Sequence, residues 1–190
     1  THVVCRGMGE PLANYRPTIT ALRRLHDEMG LSWRRLTIST VGIIPGIKRL
    51  ADEGIAVNLA LSLHAANDTL RDELVPINRR YPLAALTDAC RAYIDKTGRR
   101  LSLEWAVIAG VNNRPEDAEQ LAVFALPLGA HVNLIALNET EGYHAPGRPR
   151  AAEFAARLRA LGVNATVRAT RGREIAAACG QLAGATGRAR

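Results

Sequence analysis

Three kinds of side chain in this sequence could do chemistry: polar groups at the ends of predicted strands, a histidine among them, and a cysteine near the last residues. Val3 to Pro11 reads Val-Val-Cys-Arg-Gly-Met-Gly-Glu-Pro, so Gly9 and Glu10 sit where the chain leaves a strand and Pro11 stops the ladder. A glycine lets a ligand approach the backbone, and a strand-end carboxylate can accept hydrogen bonds from an ammonium group. A plain strand-to-helix turn with a solvated glutamate has the same pattern. Other strand ends repeat the theme. Ser39 and Thr40 close Leu-Thr-Ile-Ser-Thr, and Ser62, Leu63 and His64 lie in Leu-Ser-Leu-His-Ala. Glu104 lies inside an apolar strand, and Asn133 and Asn138 lie in Asn-Leu-Ile-Ala-Leu-Asn. Each alone suits a cap or a satisfied core polar group. Together they predict a polar ring at the carboxyl edge of a parallel sheet, where a small polar ligand binds. No second His or Cys stands at metal spacing from His64, which favours a ligand or capping hydrogen bond over a metal there.

The three cysteines are Cys5, Cys90 and Cys179. Cys5 in a strand and Cys90 in a helix read as small buried hydrophobes. Cys179 lies in Glu-Ile-Ala-Ala-Ala-Cys-Gly-Gln-Leu, beside Gly180 and near Arg168, Arg171 and Arg173. Positive charge favours the reactive thiolate; a buried tail cysteine is the competing reading. An odd, widely spaced set argues against a secreted disulfide framework and makes a cytoplasmic location the default.

The elements that must position these groups alternate along the chain. Strands are predicted at 2–6, 36–40, 55–63, 101–108, 131–137 and 163–167. Helices are predicted at 15–29, 45–53, 67–74, 82–97, 115–126 and 150–161, with Asn67 as an N-cap and Gly30, Gly54, Gly98 and Gly162 as stops. Residues 139–149 read as a Gly- and Pro-rich loop, and 170–184 as partly helical. This βα alternation predicts an α/β fold with a parallel sheet, open or forming most of a barrel.

With 190 residues, 47% of them hydrophobic, the chain can bury one sizeable core. The net charge is +7, and only Lys48 and Lys96 are lysine among the 25 basic residues. Arginine suits bidentate phosphate contacts, although a GC-rich coding bias gives the same surplus. No apolar run is long enough to span a membrane.

Several segments resemble the RlmN/Cfr family of radical S-adenosylmethionine (SAM) RNA methyltransferases. They are Gly-Met-Gly-Glu-Pro-Leu-Ala-Asn-Tyr, Ile-Ser-Thr-Val-Gly, Leu-Ser-Leu-His-Ala with Leu-Arg-Asp-Glu-Leu-Val-Pro-Ile-Asn, Val-Asn-Leu-Ile, and Thr-Arg-Gly-Arg-Glu-Ile-Ala-Ala-Ala-Cys-Gly-Gln-Leu. The resemblance implies a partial (β/α)6 radical-SAM, TIM-like barrel, truncated here at its N-terminal side. It makes residues 1–190 the C-terminal portion of that domain. It implies methylation of adenine carbon 2 in 23S rRNA and tRNA. Gly9, Glu10, Ser39, Ser62, Leu63, His64 and Asn138 match its SAM contacts. Cys179 matches the cysteine that takes a methyl group from one SAM. A second SAM, cleaved at a [4Fe-4S] cluster, then supplies a radical that activates that S-methyl group, and a disulfide with an upstream cysteine resolves the RNA adduct. Arg168, Arg171 and Arg173 are expected on the RNA. A flavodoxin-type electron donor, no membrane, a monomer and a cytoplasmic location follow.

The departures are specific. The family's C-x3-C-x2-C cluster loop precedes the Gly-Glu-Pro strand and has no counterpart in this sequence, so this stretch alone is expected to be inactive. Ala136-Leu137-Asn138-Glu139 stands where the family often has Pro-Trp-Asn-Pro. A non-catalytic RNA- or SAM-binding remnant and a Cfr-like carbon-8 methyltransferase are the alternatives. An unrelated barrel enzyme for a phosphorylated substrate lacks a convincing phosphate loop.

Overall fold

The computed structural model describes residues 2–5, 9–136, 144 and 147–168, except for the Arg148 side chain. Six strands form one parallel sheet: β1 (Val3–Cys5), β2 (Leu36–Thr40), β3 (Asn58–Ser62), β4 (Leu101–Val107), β5 (His131–Ala136) and β6 (Ala165–Arg168). They lie in sequence order, β1 and β6 at the two ends, as in a partial, TIM-like (β/α)6 barrel. The connecting helices are α1 (Tyr15–Asp27), α2 (Ile44–Asp52), α3 (Asp68–Leu74), α4 (Leu83–Thr97), α5 (Pro115–Ala125) and α6 (Gly147–Ala160).

The register separates two faces. Thr40, Leu61, Leu103, Val132 and Ala165 are successive partners across five strands, and Ile38, Leu59 and Leu101 form a second apolar row. These side chains are buried under the helices; Trp105 of β4 stacks on Phe154 of α6 with ring centroids 6.1 Å apart. The alternate positions are small or polar. Ser39, Ala60, Ser102 and His131 form one row, and Ser62, Glu104, Asn133 and Thr166 the next. A parallel sheet covered by helices on both faces has apolar runs throughout its strands. Here the period-2 alternation gives only one face to the core.

Local signals act as the sequence suggests. Asn67 Oδ1 accepts from Leu70 N at 2.8 Å and starts α3, and Gly98 ends α4 at φ 62°. The differences have local causes. The predicted 55–63 strand begins only at Asn58, because the Val57 carbonyl accepts from the Tyr93 hydroxyl of α4 at 2.6 Å. It ends at Ser62, two residues before His64 turns the backbone at φ 59°. Helix α6 starts at Gly147, inside the predicted loop, since Pro149 in a first turn loses no hydrogen bond. A 3-10 turn at Pro76–Arg79, absent from the sequence reading, links α3 to α4.

Candidate active site

Glu10 stands at the carboxyl end of β1. Its Oε1 accepts from Leu12 N at 3.0 Å and its Oε2 from Val41 N at 2.9 Å. The carboxylate therefore ties the loop after β1 to the loop after β2, and each oxygen retains accepting capacity. Gly9 is exposed, and a Cβ there would meet nothing within 4 Å, so a ligand has open access to this backbone.

Ser39 is buried and Ser62 half-buried on the polar face, neither hydroxyl bonded to a described residue. Leu63 is fully buried; its N–H donates to the Glu104 carbonyl at 3.0 Å, and its own carbonyl accepts from Arg71. His64 holds a positive φ, a conformation that costs energy for a residue other than glycine. Its Nδ1 accepts from Ala106 N at 3.0 Å, which places the neutral ring's proton on Nε2. His64 thus makes the capping bond the sequence allowed for, with its side chain extending the ladder between β3 and β4.

Two buried residues that the sequence reading did not single out hold this edge. Arg71 of α3 is completely buried and forms no ion pair among the described residues. Its guanidinium donates to Val41 O at 2.8 Å, Leu63 O at 3.2 Å, Ser62 O at 3.5 Å and Asn78 Oδ1 at 2.7 Å. Asn78 Nδ2 in turn donates to Asp72 and Asp68, at 2.7 and 2.9 Å. Burial pulls the Arg71 pKa down to about 10, against the opposing pull of Asp68, Cys90 and Asp72, so it is a cation at neutral pH. Asn112, also fully buried, donates from Nδ2 to both His64 O and Ala106 O at 2.8 Å and accepts from Ile108 N at 2.8 Å. The available signal for Arg71 and Asn78 was the Leu-Arg-Asp-Glu-Leu-Val-Pro-Ile-Asn segment; an Asn-Asn pair in a turn gave none for Asn112.

Glu104, 5% exposed, accepts from Asn133 Nδ2 at 3.1 Å, and Asn133 Oδ1 accepts from the Thr166 hydroxyl at 3.1 Å. Arg168 closes β6 opposite Ile135 and is exposed. Asn138, Arg171, Arg173 and Cys179 lie outside the described residues. Cys5 and Cys90 are free thiols. Cys90 is buried as expected, and burial pushes its pKa up to about 12. Cys5 is only half-buried, because β1 is a three-residue strand at the sheet's end; burial still raises its pKa.

The edge offers a carboxylate and two hydroxyls, donors and acceptors that fit the ammonium, carboxylate and hydroxyl groups of SAM, with the His64 ring beside them. Among the described residues no group of three His, Cys, Asp or Glu could hold a metal ion. The described residues do not fit a [4Fe-4S] cluster.

A partial parallel barrel with a polar carboxyl edge defines the class. A crystal structure of a radical SAM methyltransferase from Sphaerobacter thermophilus superposes with a TM-score of 0.90 at 49% identity, covering 95% of this chain and 54% of that one. A domain of a pyruvate-formate lyase-activating enzyme from Bacteroides vulgatus shares the fold at 17% identity, with a TM-score of 0.67 over 88% of this chain and 99% of that one. No family model matches. The curated "Probable dual-specificity RNA methyltransferase RlmN" of Parafrankia sp. is 57% identical over 189 residues, covering 96% of this chain and 49% of the relative. The chain belongs to the RlmN family of radical SAM methyltransferases. It spans about half the length of the curated relatives it matches.

Proposed function

We propose that the protein methylates carbon 2 of adenine in 23S rRNA and tRNA, using SAM and a methyl group carried on Cys179. The observation that best supports this reading is the convergence of Glu10, Ser39, Ser62 and His64 on one strand edge, at the positions matching the family's SAM contacts. There Glu10 accepts from the SAM ammonium group beside its two backbone N–H partners. Ser39 and Ser62 supply hydroxyls on the polar face, and His64 Nε2–H is a donor. Leu63, with both backbone groups bonded, fixes its neighbours' orientation. Asn138, two residues past the end of β5 in sequence, is the remaining match to the family's SAM contacts.

Cys179 is the acceptor in the first transfer. Its thiolate attacks the SAM methyl carbon, a carbon–sulfur bond forms, and S-adenosylhomocysteine leaves with the electron pair of the broken bond. Adenine carbon 2 is itself electrophilic, so a polar methyl transfer from SAM does not reach it. The onward step needs the radical chemistry and the [4Fe-4S] cluster of the family, whose ligands are expected outside this stretch.

The test uses the full-length, cluster-loaded enzyme. The tryptic peptide containing Cys179 is expected one methylene heavier, and Cys179→Ala is expected to lose that mark and all RNA methylation. Methylated RNA from Cys179→Ala, or the mark on Cys5 or Cys90, sinks the role of Cys179. 8-Methyladenosine in digested RNA in place of 2-methyladenosine sinks the regiochemistry.

A further inference from the structure

A cavity of about 280 Å³ lies outside the SAM edge, between the start of α5 and the face of α6. Asn113, Pro115, Arg150, Glu153, Phe154 and Arg157 line it. Phe154 is 3% exposed and is held against Trp105 of β4, so the floor is rigid and apolar. The rim is charged. Arg150 and Arg157 are seven residues apart, about two helical turns on one face of α6. Both are exposed, and among the described residues neither guanidinium has a hydrogen-bond or ion-pair partner. Glu153 falls between them, three residues from one and four from the other, and does not bridge to either. Arg114, next to the wall residue Pro115, is neutralised by Asp117 at 3.0 Å. The rim therefore carries a net positive charge on two free guanidiniums.

The cavity is coupled to the ligand edge. Asn113 follows Asn112, which donates to the His64 carbonyl at 2.8 Å.

We infer that the α5–α6 cavity binds a backbone phosphate and its ribose from the RNA substrate, with Arg150 and Arg157 holding the phosphate. This rests on the RNA-methyltransferase reading above. At about 280 Å³ the cavity is small for a whole ligand but suits a phosphate–ribose unit. Guanidinium forks match phosphate oxygens, and Pro115 and Phe154 give the sugar an apolar wall. Glu153 tempers the site by repelling the phosphate.

In the full-length, cluster-loaded enzyme, Arg150→Gln/Arg157→Gln is expected to weaken RNA binding several-fold. It should also flatten the plot of log affinity against log salt by about 1, the single phosphate that the two guanidiniums share. SAM affinity, kcat at saturating RNA and the thermal midpoint should stay at parent values while KM for RNA rises. Glu153→Gln should tighten RNA binding. A parent that does not bind RNA overturns both the reading and the site. A parent that binds and methylates RNA, with the double variant matching it in affinity and salt slope, overturns the site alone. Intact RNA binding with loss of electron delivery from an acidic flavodoxin-type donor assigns the cavity to a protein partner and also overturns it.

Discussion

Glu10 and Val41, 31 residues apart in sequence, are joined by a hydrogen bond of 2.9 Å from the Val41 N–H to the carboxylate. The same peptide segment faces a second tether: Val41 O accepts from Arg71 Nη2 at 2.8 Å. Since Arg71 also grips Leu63 O, this buried cation joins the carboxyl ends of β2 and β3, and the Glu10 carboxylate adds the loop after β1. The candidate SAM edge is held before any ligand arrives, which lowers the ordering cost of binding.

Arg71→Met should be strongly destabilising. It leaves the Val41 carbonyl and Asn78 Oδ1 without their donor, each worth roughly 1–3 kcal/mol when buried, and leaves Leu63 O with only its bond from Ala65 N. A loss of at least about 3 kcal/mol in urea unfolding is expected, with a smaller loss for Arg71→Lys, which keeps the charge. A cost under about 1 kcal/mol for Arg71→Met contradicts the tether.

Glu10→Ala and Glu10→Gln separate ligand binding from loop bracing. Both remove the charge-assisted bond to a ligand ammonium group, roughly 1.5–3 kcal/mol, so SAM affinity should fall about ten- to a hundredfold. Only Glu10→Gln keeps a carbonyl oxygen for one of the two backbone donors, and it should be the more stable of the pair. Calorimetry on the cluster-loaded enzyme showing parent SAM affinity in Glu10→Gln would remove Glu10 from the site.

Gly42→Ala should cost about 1–3 kcal/mol. Gly42 has φ 104°, and an added Cβ would meet Leu86 Cδ1 at 3.1 Å and Arg71 Nη2 at 3.5 Å. Gly54→Ala is the control, since its φ is 73° with nothing within 4 Å of the new atom. Thermal midpoints should rank parent above Gly54→Ala and Gly54→Ala above Gly42→Ala.

Cys90 sets an alkaline limit. Burial lifts its folded pKa from 9.0 to about 12, so the folded state keeps the proton that the unfolded state releases. This contribution is whole below pH 9 and falls as pH rises towards 12, by up to about 1.4 kcal/mol per pH unit. Comparing urea midpoints across that window, Cys90→Ala should show a shallower decline than the parent. Parallel declines would contradict the assignment. Folded protein should also resist alkylation at Cys90 at pH 8, whereas Cys5 is partly accessible.

Local chemistry made much of the molecule readable in advance. The β2 strand, the Asn67 cap and the Gly98 stop depend on neighbours within four residues, and their sequence signals match the structure. The polar strand ends were visible because side chains alternate with period 2 within each strand, and the register then puts Ser39, Ser62 and Glu104 on one face. Tertiary structure alone decided what those groups touch. Nothing local to Arg71 says that its guanidinium will be buried among carbonyls from two strands, since those partners are 8 and 30 residues away. Nor does an Asn in a turn reveal that it will latch His64 across 48 residues. The cavity between α5 and α6 exists only once Pro115 and Arg150, 35 residues apart, meet across a helix interface. Such contacts are set by chain closure and packing, which composition and periodicity do not encode.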